Sequence, residues 1–279
     1  MDKSVCTLVA TMGKKNYEIK KLIEDMNLQG KVVICNQVSN EGFEKIEGHN
    51  FDARIFYSET RGLSYSRNLS LLNSDSDYCI IADDDMSYKE NYELKILEEF
   101  KRTQADVIIF SLPKDLNKDH NDIRVNYLNY KKYGSVRIAF RRDAIVTKEI
   151  FFPISFGSGS KYSSGEDTIF IQQCLKSGLK VIKVSSCIID YLDTNTANST
   201  WFEGFNNKFY FDKGALYSRL SKHFSTLTSA IFAMRKSKNK DSITFVEALK
   251  EMRSGAKAYS NNEMTFNEFY GRRERDTND

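Results

Sequence analysis

Tyr78-Cys79-Ile80-Ile81-Ala82-Asp83-Asp84-Asp85-Met86 is an apolar run with a β-branched centre that stops at three consecutive aspartates. The run predicts a buried strand. Adjacent carboxylates repel one another, so a fold that gathers them calls for a cation. Alternation along an extended chain puts Asp83 and Asp85 on one side and Asp84 on the other. Two hard oxygen ligands facing one way suit magnesium or manganese that keeps open positions for phosphate. Open α/β sheets bind ligands at the carboxyl ends of their strands, where this run ends. A solvated acidic turn, with the aspartates capping a following helix, accounts for the same residues without a cation, and the stretch alone leaves both readings standing.

Working outward, Val5–Thr11 predicts a strand that runs into Gly13-Lys14-Lys15. Ile19, Leu22, Ile23 and Met26 then recur at helical spacing up to Gly30. Lys31–Asn36 reads as a second buried strand and Ala53–Tyr57 as a third. A helix follows Gly62, with Ser64 in the N-cap role. After the aspartates come a helix over 89–101 and a strand over 106–112. The polar segment 114–126 breaks the pattern. Beyond it, Ser135–Phe140 predicts a strand. A glycine- and serine-rich loop over 157–165 leads into a helix from Glu166 to about Ser177, and 180–184 and 187–191 are the last strand-like runs. Strand–helix alternation of this kind predicts an α/β protein with a mostly parallel, doubly wound sheet and a nucleotide-binding architecture.

The balance of 41 Lys+Arg against 38 Asp+Glu, a formal +3 over 279 residues, argues against a nucleic-acid binder. The cysteines number five, an odd count, with no CxxC spacing, which predicts buried free thiols and a reducing, cytoplasmic setting. The sequence shows no signal peptide and no run long enough to span a bilayer. His49, His120 and His223 lack ligand spacing.

Taken together, Val5–Tyr191 resembles the family 2 glycosyltransferases of the GT-A fold. The resemblance rests on the first strand, Gly62 to Arg67-Asn68, the DXD motif Asp83-Asp84-Asp85, the Arg141-Arg142 turn and Gly165-Glu166-Asp167, in that order. Asn36-Gln37 and the run Lys161–Asp167 make the chain most similar to bacterial members that build capsular or other surface polysaccharides. The resemblance implies a nucleotide-sugar half over 1–112, an acceptor half over 113–200, a helical region over 201–260 and a polar tail over 261–279. It implies a UDP-linked sugar donor, a lipid-linked oligosaccharide acceptor and Mn2+ or Mg2+ as cofactor. QxxRW and membrane spans, which mark the processive members, are absent, so a single addition is expected.

By the same resemblance Asp83 and Asp85 hold the metal, and Arg67, Asp83 and Asp84 contact the nucleotide. Ala10, Thr11 and Met12 offer backbone contacts to its base. Many relatives carry an aspartate for the base where this chain has Asn36-Gln37, and an amide offers both a donor and an acceptor to uracil. Asp167 is the implied general base of an inverting reaction. Ser164–Asp167 also fits an S-x-x-D capping box, and the helix dipole would weaken a base placed there. Glu166 is expected at acceptor or donor hydroxyls, and Trp201 against an acceptor sugar ring.

Leu216, Leu220, Phe224, Leu227 and Ile231 predict one helical stripe with basic neighbours over 216–240, suited either to an anionic membrane face or to packing on the domain. Two other functions fit parts of the chain: a nucleotidyltransferase on a similar sheet, and a non-catalytic assembly partner that works through its aromatic, basic C-terminal third.

Overall fold

The computed structural model describes residues 3–115, 121–192, 204–221, 225–238 and 243–261. They form two compact units, 3–152 with 170–192 and 153–169 with 204–261.

The first unit carries β1 (Val5–Met12), α1 (Asn16–Asp25), β2 (Gly30–Gln37), β3 (Gly42–Glu47), β4 (Phe51–Ser58), α2 (Leu63–Leu72), β5 (Tyr78–Asp83), β6 (Met86–Tyr88), α3 (Tyr92–Thr103), β7 (Val107–Ile109), β8 (Ile123–Arg124), β9 (Ile138–Arg141) and α4 (Arg142–Val146). α5 (Glu166–Lys176), whose residues 166–169 count with the second unit, leads to β10 (Val181–Lys183) and β11 (Ile189–Leu192). Among the described residues nine strands form one sheet in the order β3-β4-β2-β1-β5-β9-β7-β10-β8. β4, β2, β1 and β5 run parallel. β9 enters antiparallel between β5 and β7, and β7 and β10 resume the first direction. The sheet is therefore mostly parallel, as expected, but mixed. β2 is long and apolar because it is buried on both faces, while α1 turns only Ile19, Leu22 and Ile23 inward.

Several boundaries differ from the sequence reading, each for a local reason. β3 carries four polar or small residues in six and buries only Ile46, the pattern of a charged edge strand that propensity misses. The strand expected over 106–112 keeps ladder pairing only at 107–109. The one expected from Ser135 opens as a 3-10 turn over 135–137. β5 ends at Asp83, and the chain turns at 84–85 into β6, which pairs with β11 in a separate two-stranded sheet. The alternation assumed for the three aspartates thus stops at the first of them. The next helix starts at Tyr92, anchored where the Tyr92 hydroxyl meets Thr7 Oγ1 at 2.7 Å and its ring stacks on Tyr88 at 4.3 Å.

The second unit consists of the segment up to Ile169, α6 (Asn207–Leu220), α7 (Ser225–Lys236) and α8 (Phe245–Ser260). The stretch 216–240 is not one helix. α6 ends at Leu220, Ser221 is extended, and Leu216 and Leu220 are buried, whereas Leu227, Ile231 and Met234 on α7 are exposed. α6 and α8 approach closely through Gly214 and Gly255, where a Cβ would run into the facing helix's backbone. Among the described residues no helix is long and apolar enough to cross a membrane. All five cysteines are free and four are buried, and burial pushes the Cys6 thiol up to about 11.

At the amino ends of β1 and β2, Gly30 (φ +62°) faces Glu93, whose carboxylate occupies the space a Cβ would need. Burial pushes Glu93 from 4.5 up to about 7. Between those values the folded chain binds more protons than the unfolded one, so stability falls as pH rises from about 4.5 to about 7 and is level above. Glu93→Gln is expected to abolish that slope and to stabilise the protein by about 1–3 kcal/mol above pH 7. Urea midpoints across this range check it, and identical slopes for the two proteins would refute it.

Candidate active site

The strand register brings the predicted residues of β1, β2 and β5 to one edge. Ala10 stands opposite Asp83, Thr11 opposite Asn36 and Met12 opposite Gln37. The three aspartates then have three different surroundings. Asp83 accepts from Arg67 Nη2 at 2.9 Å, and Arg67 is 1% exposed against 28% for Asp83. Asp84 accepts from Thr11 Oγ1 at 2.5 Å and lies 3.9 Å from Lys14 Nζ. Asp85 is exposed at the turn.

Arg67 is buried on α2 because the helix enters from Gly62, an N-cap at φ +123° that disfavours any side chain. Ser64, expected as the cap, is a buried second residue of that helix. The guanidinium carbon lies 5.5 Å from the centroid of the Phe152 ring, a cation–π contact. Asn68 exchanges two 2.8 Å hydrogen bonds with the Phe152 backbone, as a strand neighbour would. Phe152 in turn stacks on Phe170 at 4.3 Å and 7°. Adjacent residues Arg67 and Asn68 therefore fix one aromatic side chain and its backbone together.

Asn36 is fully buried, and its amide bonds the turn after β1. Nδ2 donates to the Lys14 carbonyl at 2.7 Å, and Oδ1 accepts from the Lys14 amide at 3.2 Å. Gln37 Oε1 accepts from the Gly62 amide at 3.0 Å. Both side chains hold loops: Asn36 the turn after β1, Gln37 the start of α2. Thr11 contributes its hydroxyl to Asp84 and is 4% exposed, while Met12 is 55% exposed beside it.

Among the described residues no group of three or more His, Cys, Asp or Glu could hold a metal by itself. The hard carboxylate oxygens of Asp83 and Asp85 fit magnesium or manganese, which bind through one or two carboxylates and complete their shell with substrate phosphates.

Glu166 and Asp167 belong to the second unit and open α5. The Ile169 amide donates to the Gly165 carbonyl at 3.0 Å, which makes Gly165 (φ +116°) the N-cap and Asp167 the second helical residue. The Ser164–Asp167 capping box therefore does not form, because its acid must be the third. Glu166 is buried and Asp167 half-buried. Ser163 donates to Asp212 Oδ2 through its amide (3.0 Å) and hydroxyl (2.7 Å), and Lys213 Nζ donates to Ser164 Oγ at 2.9 Å. Sequence reasoning missed Asp212 and Lys213, since both sit inside an ordinary helical pattern. Trp201, His120 and His223 lie outside the described residues.

The family model described as "Glycosyl transferase family 2" matches residues 18–164, just over half of the chain. The chain belongs to glycosyl transferase family 2. This family 2 glycosyltransferase shares its fold with the crystal structure of Staphylococcus aureus TarS 1-349, at 11% identity and a TM-score of 0.54, over 92% of this chain and 91% of that one. TarS 1-349 in complex with UDP-GlcNAc (13%, TM-score 0.54) and with UDP (12%, 0.56) align over the same shares. No curated protein matches the chain. The assignment sets nucleotidyl transfer and a non-catalytic role aside and bears out the GT-A α/β architecture.

The unequal burial of the Arg67–Asp83 pair gives a directional expectation. Asp83→Ala leaves a buried guanidinium without this counter-ion and should cost about 2–3 kcal/mol, whereas Arg67→Met leaves a carboxylate that water reaches and should cost about 1 kcal/mol. Denaturant unfolding of the two variants decides it; a larger loss for Arg67→Met would contradict the assignment.

Proposed function

We propose that the protein is an inverting, metal-dependent glycosyltransferase that moves one sugar from a UDP-linked donor to a lipid-linked oligosaccharide of a bacterial capsular or surface polysaccharide. The observation that carries this reading is the acidic turn at the carboxyl end of β5, with Asp83 fixed by buried Arg67 and Asp85 exposed. The choice of uridine is supported by the TarS complexes with UDP and UDP-GlcNAc.

In this reading the 1–112 half receives the nucleotide. The backbone of Ala10, Thr11 and Met12 borders the base, and Asn36 and Gln37 hold the loops around it. Arg67 acts through Asp83, whose carboxylate it orients, and Asp84 is kept in place by Thr11 and Lys14. Asp83 and Asp85 would hold Mn2+ or Mg2+, which when bound offsets the charge that grows on the departing diphosphate. Asp167 takes the proton of the acceptor hydroxyl as that oxygen forms its bond to the anomeric carbon and the bond to UDP breaks. Glu166 and Trp201 are assigned to sugar hydroxyls and to acceptor stacking.

Among the described residues, the membrane contact is assigned to α7. Leu227, Ile231 and Met234 are exposed at spacings of four and three, one face of a helix, and Arg235, Lys236 and Lys238 follow them. An apolar stripe beside basic residues suits the surface of an anionic bilayer, where a lipid-linked acceptor resides.

Two measurements test the proposal. UDP release from UDP-glucose, UDP-galactose and their N-acetyl counterparts, with and without manganese, should be metal-dependent for one donor. It should fall by about 100-fold or more in both Asp85→Ala and Asp167→Asn. No release from any of the four, or unchanged rates in both variants, would contradict it. Sedimentation with phosphatidylglycerol vesicles should pellet the protein but not Leu227→Ser/Ile231→Ser/Met234→Ser, and equal pelleting would remove the membrane contact.

A further inference from the structure

α6 grips the segment in front of Glu166 and Asp167 at three points within one turn. Asp212, 1% exposed, accepts both the amide and the hydroxyl of Ser163, and also pairs with Lys208 Nζ at 2.9 Å. Lys213 Nζ donates to the Ser164 hydroxyl at 2.9 Å. Leu216 fills the space beside Gly165, so that a Cβ there would come within 2.7 Å of Leu216 Cδ1. Two adjacent residues of one helix thus hold two adjacent residues of the turn, and the next residue of the turn is a glycine at φ +116°, a backbone conformation that strains any side chain, with Leu216 packed against it.

A half-buried ammonium held this way is favoured by anionic company. Burial lowers Lys213 from its ordinary range, while Glu166 and Asp167 of α5 and Asp212 of its own helix favour its charge and Lys236 of α7 opposes it. The two carboxylates that open α5 are therefore among the groups that favour the charged form of Lys213.

We propose that Lys213 is a positioning residue for sugar transfer: it locks the Ser163-Ser164-Gly165 turn and sets a positive charge against the Glu166-Asp167 pair, so that Asp167 is aligned and ionised when the acceptor hydroxyl arrives. The inference rests on the reading of Asp167 as the base. A nearby cation favours the ionised carboxylate, so removing it shifts proton uptake by the base to higher pH. A lysine lowered by burial also loses its charge at a lower pH than a solvated one. The enzyme then carries an alkaline limb that arginine, which does not titrate in that range, would not show.

The test is the pH profile of manganese-dependent UDP release, using the donor among UDP-glucose, UDP-galactose and their N-acetyl counterparts that wild type turns over. Lys213→Met is expected to lower kcat by about 10- to 100-fold with little change in donor KM, and to move the acid limb up by about 1 pH unit. Lys213→Arg is expected to recover much of kcat and to lose the alkaline limb. If Lys213→Met fails to fold by circular dichroism, Ser164→Ala removes the hydrogen bond alone and should lower kcat several-fold. Wild-type kcat and limbs in the lysine variants, or wild-type kcat in Ser164→Ala, beside an inactive Asp167→Asn, would overturn this inference and leave the proposed function intact. An active Asp167→Asn, or no release by wild type, would overturn the reading beneath it.

Discussion

The first unit depends on neutralising one buried guanidinium. Arg67 is almost wholly excluded from water, and an isolated charge in such a place costs several kcal/mol. Asp83 supplies the counter-charge, and it does so from the last position of β5, where the strand gives way to a turn. The constraint therefore reaches outward in both directions. Toward the core it fixes Phe152, which Arg67 covers and Asn68 pins by its backbone. Toward solvent it fixes the first of three aspartates, so the third stands exposed at a defined place while Thr11 and Lys14 draw the second aside. The like charges of Asp83 and Asp84 are offset by Arg67 on one and by Thr11 and Lys14 on the other.

The second unit solves a different problem, which is to give two acidic residues a rigid setting at the start of a helix. Gly165 caps α5 at φ +116°, which disfavours any side chain, and Leu216 packs against it. Asp212 and Lys213 fasten the preceding serines, and Gly214, next in sequence, lets α8 come against the same helix. One run of three residues, Asp212-Lys213-Gly214, thus serves the turn on one side and the helix packing on the other. A helix so committed holds its side chains more precisely than a mobile loop does.

Much of the first unit was legible because its strands are buried on both faces and read as apolar runs, and because glycine marks where α1 and α2 begin or end. The order of Arg67, the aspartates and Glu166-Asp167 was enough to identify the family. What escaped was set by contacts distant in sequence. β3 is a strand only because β4 lies beside it, and its alternation is too polar to announce it. The loop after β1 folds back onto the amide of Asn36 and bonds it, and nothing in the residue itself reveals that. Ser64 looked like a cap because serine prefers that place, yet the backbone needed the positive φ that only Gly62 supplies cheaply. The apolar stripe over 216–240 matched helical spacing throughout, but its first part is core and its second part surface, divided by the extended Ser221.

The account's central claim is that the acidic turn beyond β5 receives a nucleoside diphosphate. Titration calorimetry of UDP into the protein, with and without manganese, tests it without any acceptor or choice of sugar. The account predicts binding that requires manganese in wild type and is lost in Asp85→Ala, while a variant at the opposite end of the strands, Glu93→Gln, binds as wild type does. Metal-independent binding of equal strength in wild type and Asp85→Ala, or no binding under either condition, would contradict it.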